Sequence, residues 1–178
     1  PIRPGTDTAM MSAMAYVIIT ENLHDKDFIA RCCLGFDKAR MPEGLEHEES
    51  YSDYILGHHD GQPKTPEWAE TITGVPSTTI ARIAREYATA GPAMLYQGYG
   101  MQRRAYGEQP VLGGCALAAI TGNVGIPGGW ASGIALQADD GGPFWNVFPV
   151  GRNPVRASIP VFLWTEAITR GTSMGPEE

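Results

Sequence analysis

From Thr8 to Glu21, Ala, Met, Tyr, Val and Ile fall on nearly every face of a helical wheel, behind Thr6 or Asp7 as an N-cap. The pattern predicts a helix over 8–21 that is buried on several sides. A second, shorter helix is predicted over Lys26–Cys33, closed at Leu34-Gly35-Phe36 with Gly35 as its C-cap. Residues 38–64 are polar and interrupted by Pro42, Gly44, Gly57, Gly61 and Pro63; they hold one short helical stretch at 51–56 and read as a surface insertion. Thr65-Pro66-Glu67-Trp68 sets a capping Thr before a Pro at the first helical position, which starts a short helix through Thr71. From Pro76 to Ala90, Ile80, Ile83, Ala84 and Tyr87 recur at helical spacing with Arg82, Arg85 and Glu86 on the wet side, until Gly91-Pro92 ends the helix.

Ala93–Gln97 is a short apolar run between breakers and is predicted to be a buried parallel strand. Gly98-Tyr99-Gly100 reads as a tight turn, and 108–121 as an apolar helix that Gly122 ends. Helix, strand, glycine-rich turn and helix make half of an αβα unit. Gly125–Pro154 is rich in Gly and Pro with little periodicity; so long a loop is unusual inside a compact domain, and it is predicted to lie against a neighbouring domain or to be disordered. Val161–Thr169 is a final short helix. The predicted class is α/β: a helix-rich, partial three-layer, Rossmann-like domain over 1–124 with few parallel strands. An irregular Gly/Pro-rich C-terminal region and short helix over 125–178 would lead into a neighbouring domain.

Composition changes this picture in one respect. At 178 residues and 43% hydrophobic the chain can bury a real core. Its charge, however, is uneven. From Gln109 to Trp164 only Asp139, Asp140, Arg152 and Arg156 are charged, whereas Glu21–Glu86 is dense with acids and bases. One half reads as solvated and the other as covered by something else. A net charge of −7 excludes a nucleic-acid-binding domain, which needs a basic face to displace phosphate counterions. Apolar runs are broken well before the roughly 20 residues that span a bilayer. The Pro-Ile-Arg-Pro opening, without Met or a signal core, and the Gly-Pro-Glu-Glu ending read as the limits of a segment excised from a longer polypeptide. Cys32, Cys33 and Cys115 cannot all pair and have no Cys-x-x-Cys spacing, so they read as buried or half-buried free thiols. His24, His47, His58 and His59 lack metal-ligand spacing, and the adjacent pair reads as loop.

The candidate chemistry lies in two glycine-bearing turns, Arg3-Pro4-Gly5-Thr6-Asp7 and Gln97-Gly98-Tyr99-Gly100-Met101-Gln102-Arg103, each where a strand-like run meets a helix. In α/β proteins ligands sit beyond the carboxyl ends of parallel strands, where Gly lets the backbone approach and helix N-termini offer N–H groups to phosphate. An Asp in the first turn can accept from two adjacent N–H donors, the face that guanine N1 and N2 present. From the residues alone a purely structural role stays open for both turns, since neither is a Gly-x-Gly-x-x-Gly or P-loop fingerprint. Arg103 and Arg104 could equally be solvated charges, and Asn123 a helix cap.

The ordered combination is more specific. Arg3-Pro-Gly-Thr-Asp7, Gln97-Gly-Tyr-Gly-Met-Gln-Arg103 with Gly107-Glu108, and Thr121-Gly-Asn-Val-Gly-Ile-Pro-Gly-Gly129 together resemble the dimethyl sulfoxide reductase family of bis(molybdopterin guanine dinucleotide) oxidoreductases. Ile18–Leu23, Cys33–Asp37 and Asn153–Ile168 make the chain most similar to the catalytic subunits of the respiratory dimethyl sulfoxide or selenate reductase branch. The resemblance spans essentially the whole chain. It implies that Gly5, Thr6 and Asp7 contact the guanosine end of one pterin dinucleotide, and that Tyr99, Gly100, Gln102 and Arg103 contact a pterin or its phosphates. Tyr99 stands where relatives often carry Trp, and Met101 where they often carry Pro. It further implies two-electron reduction of an S-oxide, N-oxide or oxyanion, with the molybdenum ligand and a [4Fe-4S] cluster outside this segment. Catalytic and metal-binding residues would therefore lie elsewhere, and the segment alone would hold no cofactor and be inactive. The implied partners are the remaining domains of the same subunit, an iron–sulfur electron-transfer subunit, a membrane anchor subunit and a small oxidised acceptor. The implied location is the periplasmic or cell-envelope face, membrane-associated through those partners. A stand-alone α/β nucleotide- or ligand-binding module, and a formate dehydrogenase or nitrate reductase of the same family, are the alternatives.

Overall fold

Helix α1 (Asp7–Thr20) is the axis around which the first part of the chain is built in the computed structural model, which describes residues 1–132, 152, 159 and 163–175. Met11, Ala13, Met14, Ala15, Val17 and Ile18 are all buried, as expected for a helix apolar on most faces. Its surroundings explain why. Helices α3 (Tyr51–Leu56), α4 (Pro66–Thr73), α5 (Ser77–Thr89) and α7 (Glu108–Ile120) all pack on it. Its last turn is pinned by the Glu21 carboxylate, which accepts two hydrogen bonds from Arg85 at 2.8 and 2.7 Å. Helix α2 (Lys26–Cys32) packs on α7, with Asp25 accepting from the Phe28 amide as its N-cap.

The capping chemistry works as read where a side chain carries it. Thr65 accepts from the Trp68 amide ahead of Pro66, and α4 runs to Thr73, one half-turn beyond the predicted end, where Gly74 is left-handed. Ser50 accepts from the Asp53 amide, and Gly57 closes α3. In α5, Ile80 and Ala84 face the core while Arg82 pairs with Glu86 at 2.6 Å in solvent. His58 and His59 lie in the turn after α3.

Strand β1 (Met94–Tyr96) pairs in parallel with β2 (Trp130–Ser132), Met94 opposite Trp130 and Leu95 opposite Ala131. The sheet packs on α7, whose other contacts include α1, so the arrangement is an α/β layering with few parallel strands, as expected. Gly114 of α7 lies against the Gln97 side-chain amide, and a β-carbon there would collide with it. That close approach seats the end of β1 on the helix.

Several expectations need correction. β1 is parallel but not buried: Met94 and Tyr96 are each 56% exposed, because β2 is its only partner among the described residues and nothing there covers its outer face. The expected loop from Gly125 contains β2, a three-residue strand that pairing creates and periodicity cannot reveal. Gly98-Tyr99-Gly100 is not a bare turn, since Tyr99–Gln102 forms a helical turn, α6. Helix α2 ends at Cys33 in extended conformation, so Gly35, although left-handed, caps nothing. The presumed surface insertion supplies core: Ile55 and Ser50 are buried, and so is Lys64. Its ammonium pairs with Asp60 at 2.5 Å and lies 4.5 Å from the Tyr54 ring centroid, which is how a cation tolerates burial. Cys33 is half-buried as expected, but Cys32 and Cys115 are exposed.

Two compact units divide the chain, Pro1–Gln137 and Ala138–Glu178. In the second, α8 (Trp164–Arg170) leads into a 3-10 turn at Gly171–Ser173. The helix predicted from Val161 thus starts later, and residues 161 and 162 lie outside the described residues. So does most of the predicted Gly125–Pro154 loop beyond 132, including Phe144, Trp145 and Phe148.

Candidate functional site

The first turn is anchored before it reaches the helix. The Arg3 guanidinium donates to the Ile72 and Thr71 carbonyls at the carboxyl end of α4, at 2.6 and 3.2 Å, and its amide donates to Thr73. These acceptors are carbonyls that a helix end leaves free. Gly5 follows with φ of +81°, a conformation that favours glycine, and the chain turns back so that the Thr6 hydroxyl donates to the Arg3 carbonyl at 2.6 Å. Thr6 is the N-cap by position, yet its side chain faces backwards and caps nothing. The Asp7 and Thr8 amides consequently find no acceptor, and the half-buried Asp7 carboxylate no donor or cation, among the described residues.

The second turn leaves the carboxyl end of β1. Gln97 is buried, its Nε2 donating to the Pro110 carbonyl at 2.7 Å while Oε1 has no partner among the described residues. β-Carbons at Gly98 or Gly100 would meet nothing within 4 Å, and neither residue has a positive φ. Packing among the described residues therefore does not require glycine at either place, and there both leave the backbone open to approach. Tyr99 opens α6, and the Arg103 guanidinium lies 4.1 Å over its ring centroid. Gln102 is exposed, and its carbonyl accepts from the Arg104 amide at 2.8 Å.

The fold joins the two turns through a residue the sequence reading did not select. The Arg104 guanidinium occupies the space a β-carbon on Gly5 would take. Gly5 is therefore demanded twice, by its φ and by this contact. Thr6, Asp7, Tyr99, Gly100, Gln102 and Arg103 flank the junction, but no direct contact links Asp7 to the second turn among the described residues. The signal for Arg104 was present as the Arg103-Arg104 pair; its value depended on a contact that spacing cannot supply. Asn123, left open as a helix cap, has a definite structural role. Its Oδ1 accepts from the Ala93 amide at 2.9 Å and its Nδ2 donates to Thr121, tying the end of α7 to the start of β1.

Between them the two turns carry two guanidinia, an aromatic ring, two amides at a helix N-terminus and a carboxylate, the amides without an acceptor and the carboxylate without a cation among the described residues. That set suits a ligand with anionic groups and N–H donors. Among the described residues no cluster of three His, Cys, Asp or Glu could hold a metal, and no helix is long and apolar enough to cross a membrane.

A family model described as Molybdopterin oxidoreductase matches residues 1–164. The chain belongs to the molybdopterin oxidoreductase family. It is 47% identical over 98% of its length to the dimethyl sulfoxide reductase DmsA of Haemophilus influenzae, and 39% identical over 79% to a dimethyl sulfoxide/trimethylamine N-oxide reductase of Cereibacter sphaeroides. It spans 21% and 15% of those proteins, respectively. Among solved structures, acetylene hydratase from Pelobacter acetylenicus superposes with a TM-score of 0.52 at 29% identity, covering 68% of this chain and 14% of that one. The family implies a molybdenum–pterin cofactor. The cationic and hydrogen-bonding character of the two turns fits such a group.

Proposed function

We propose that this chain is the part of a dimethyl sulfoxide reductase-like catalytic subunit that cradles a bis(molybdopterin guanine dinucleotide) cofactor. The observation that carries the reading is the Gly5–Arg104 junction. It sets the Arg104 guanidinium of the second turn against the first, and among the described residues neither the Asp7 carboxylate nor the Arg103 and Arg104 guanidinia have an ion-pair partner. Asp7 would accept from guanine N1–H and N2–H. Gly5 and Thr6 would line the same end through backbone approach. Arg103 would hold a phosphate or pterin oxygen while the Tyr99 ring fixes the guanidinium plane, and Gly100 and Gln102 would border the same group.

When bound, the molybdenum–pterin group supplies two-electron oxygen-atom transfer, and the protein contributes position, electrostatics and exclusion of solvent. The acceptor class rests on the relatives, among which are dimethyl sulfoxide, trimethylamine N-oxide and biotin sulfoxide reductases. The proposal covers S-oxides and N-oxides first, with oxyanions as the wider class. It includes a molybdenum ligand and a [4Fe-4S] cluster elsewhere in the subunit, an iron–sulfur electron-transfer subunit, a membrane anchor subunit and a periplasmic or cell-envelope location. The neighbouring hydratase supports a division of labour in which the cradle holds the cofactor and other segments choose the reaction.

Reduced-viologen-linked turnover by the full-length parent tests this reading. Oxidation of the dye by dimethyl sulfoxide or trimethylamine N-oxide is expected, with none from the 178-residue segment alone. Turnover of formate or nitrate in place of both oxides would contradict the reductase assignment.

A further inference from the structure

We infer that Arg104 is a second anion-binding residue of this site, holding the phosphate bridge of the dinucleotide against the first turn of α1, with Gly5 kept small to admit it. The inference rests on the cofactor reading above and adds a residue and a ligand group to it.

In residues 1–132, Arg3 donates to the Thr71 and Ile72 carbonyls, Arg31 to Asp27, Arg40 to Asp37, Arg82 to Glu86 and Arg85 to Glu21. Arg103 lies on the Tyr99 ring, and Arg104 has neither a hydrogen-bond acceptor nor a carboxylate among the described residues. An arginine with no task normally extends into solvent and keeps its rotamer freedom. Arg104, although exposed, folds back so that Cζ and both terminal nitrogens fill the place a β-carbon would take on Gly5, a residue nearly a hundred positions earlier.

That placement sets its donors beside the turn that opens α1, where the Asp7 and Thr8 amides also lack acceptors. Asp7 does not neutralise Arg104, for no ion pair joins them. With Arg103 next in sequence, the junction keeps positive charge in a chain whose net charge is −7. A phosphodiester or pyrophosphate is the ligand these features match. It accepts two parallel N–H bonds from a guanidinium, and it is stabilised at a helix N-terminus. Lysine would be a poor substitute, since an ammonium cannot lie flat over a glycine and present paired donors.

The test uses the full-length parent, with molybdenum and acid-released guanine nucleotide measured per polypeptide, beside thermal unfolding of the cofactor-free form. Arg104→Ala should lower nucleotide and molybdenum retention about tenfold or more at unchanged cofactor-free stability, and Arg104→Lys should fall between it and the parent. Normal content in Arg104→Ala, whatever its stability, would overturn the inference. If Asp7→Asn and Arg103→Ala lose cofactor while Arg104→Ala does not, the cofactor reading stands and this inference fails. If Arg104→Ala alone loses it, the anion site stands and the Asp7 assignment fails. Should Arg104→Ala not accumulate, the content of Arg104→Lys decides: a reduced value supports the phosphate contact and a parental value refutes it.

Discussion

The three thiols show how far residue-level reading reaches. Their number and spacing exclude a complete set of intrachain pairs, but exposure comes from neighbours that only the fold assembles. Cys32 and Cys33 both line an open apolar cavity of about 340 Å³ with Phe36, Tyr51, Ala119 and Ile120, but Cys32, at the end of α2, is exposed whereas Cys33 is half-buried. Burial, with the neighbouring Cys32 thiol as a smaller contribution, pushes the Cys33 thiol above its ordinary value. Thiolate is the reactive form, so Cys33 should be the slowest of the three. Titration with a chromogenic disulfide at pH 8 should show two fast groups and one slow one in the native chain, and three equal groups in denaturant. Fewer than three in denaturant would reveal a disulfide. Lys64 teaches the same lesson in reverse: a lysine in a polar stretch reads as solvated, and only the Tyr54 and Trp68 rings with Asp60 make it interior.

At the scale of elements, helices announced by a side-chain cap were legible nearly to the residue. Thr65 before Pro66 and the apolar spacing of Ile80, Ile83 and Ala84 carry local signals that tertiary context did not override. What could not be read is whatever exists only by long-range pairing. β2 is a three-residue strand made by β1, and α6 is a single turn bounded by a glycine and Arg103. Asn123 binds these parts together and gives the element scale its test. Its Oδ1 accepts from Ala93, whose amide is otherwise buried without an acceptor, so Asn123→Ala should destabilise the chain by about 1–3 kcal/mol. Asn123→Asp keeps the acceptor and should lose less at neutral pH. Denaturant unfolding of the two variants measures the difference, and equal losses would show that the Ala93 bond contributes little.

For the whole molecule, the uneven charge of the sequence becomes a surface. Met94, Tyr96 and Trp130 on the sheet, with Leu112 on α7, remain substantially exposed in a chain spanning about a fifth of the DmsA relatives it matches. Apolar surface of this kind belongs under other protein. The isolated segment should therefore self-associate, its sedimentation coefficient rising with concentration between micromolar and submillimolar protein. Replacing Met94, Tyr96 and Trp130 by Ser should suppress the rise. A segment that stays monomeric throughout would contradict the covering role. The order of motifs made the family legible, and the family model over residues 1–164 bears that out. The joining of the two turns was not legible, since the Gly5–Arg104 contact depends on how α1, β1 and α7 pack.

The central claim is that the two joined turns hold the cofactor, and occupancy of the full-length parent carrying Asp7→Asn or Arg103→Ala tests it most directly. Asp7→Asn turns one acceptor into a donor facing a donor, at a cost of about 1–3 kcal/mol or roughly 5- to 150-fold in affinity. Arg103→Ala removes a charge-assisted contact, with a loss of similar or greater size. Each variant should unfold at the parental temperature without cofactor, yet retain markedly less molybdenum per polypeptide after purification. Parental molybdenum content in both variants, with or without a loss of cofactor-free stability, would contradict the site assignment.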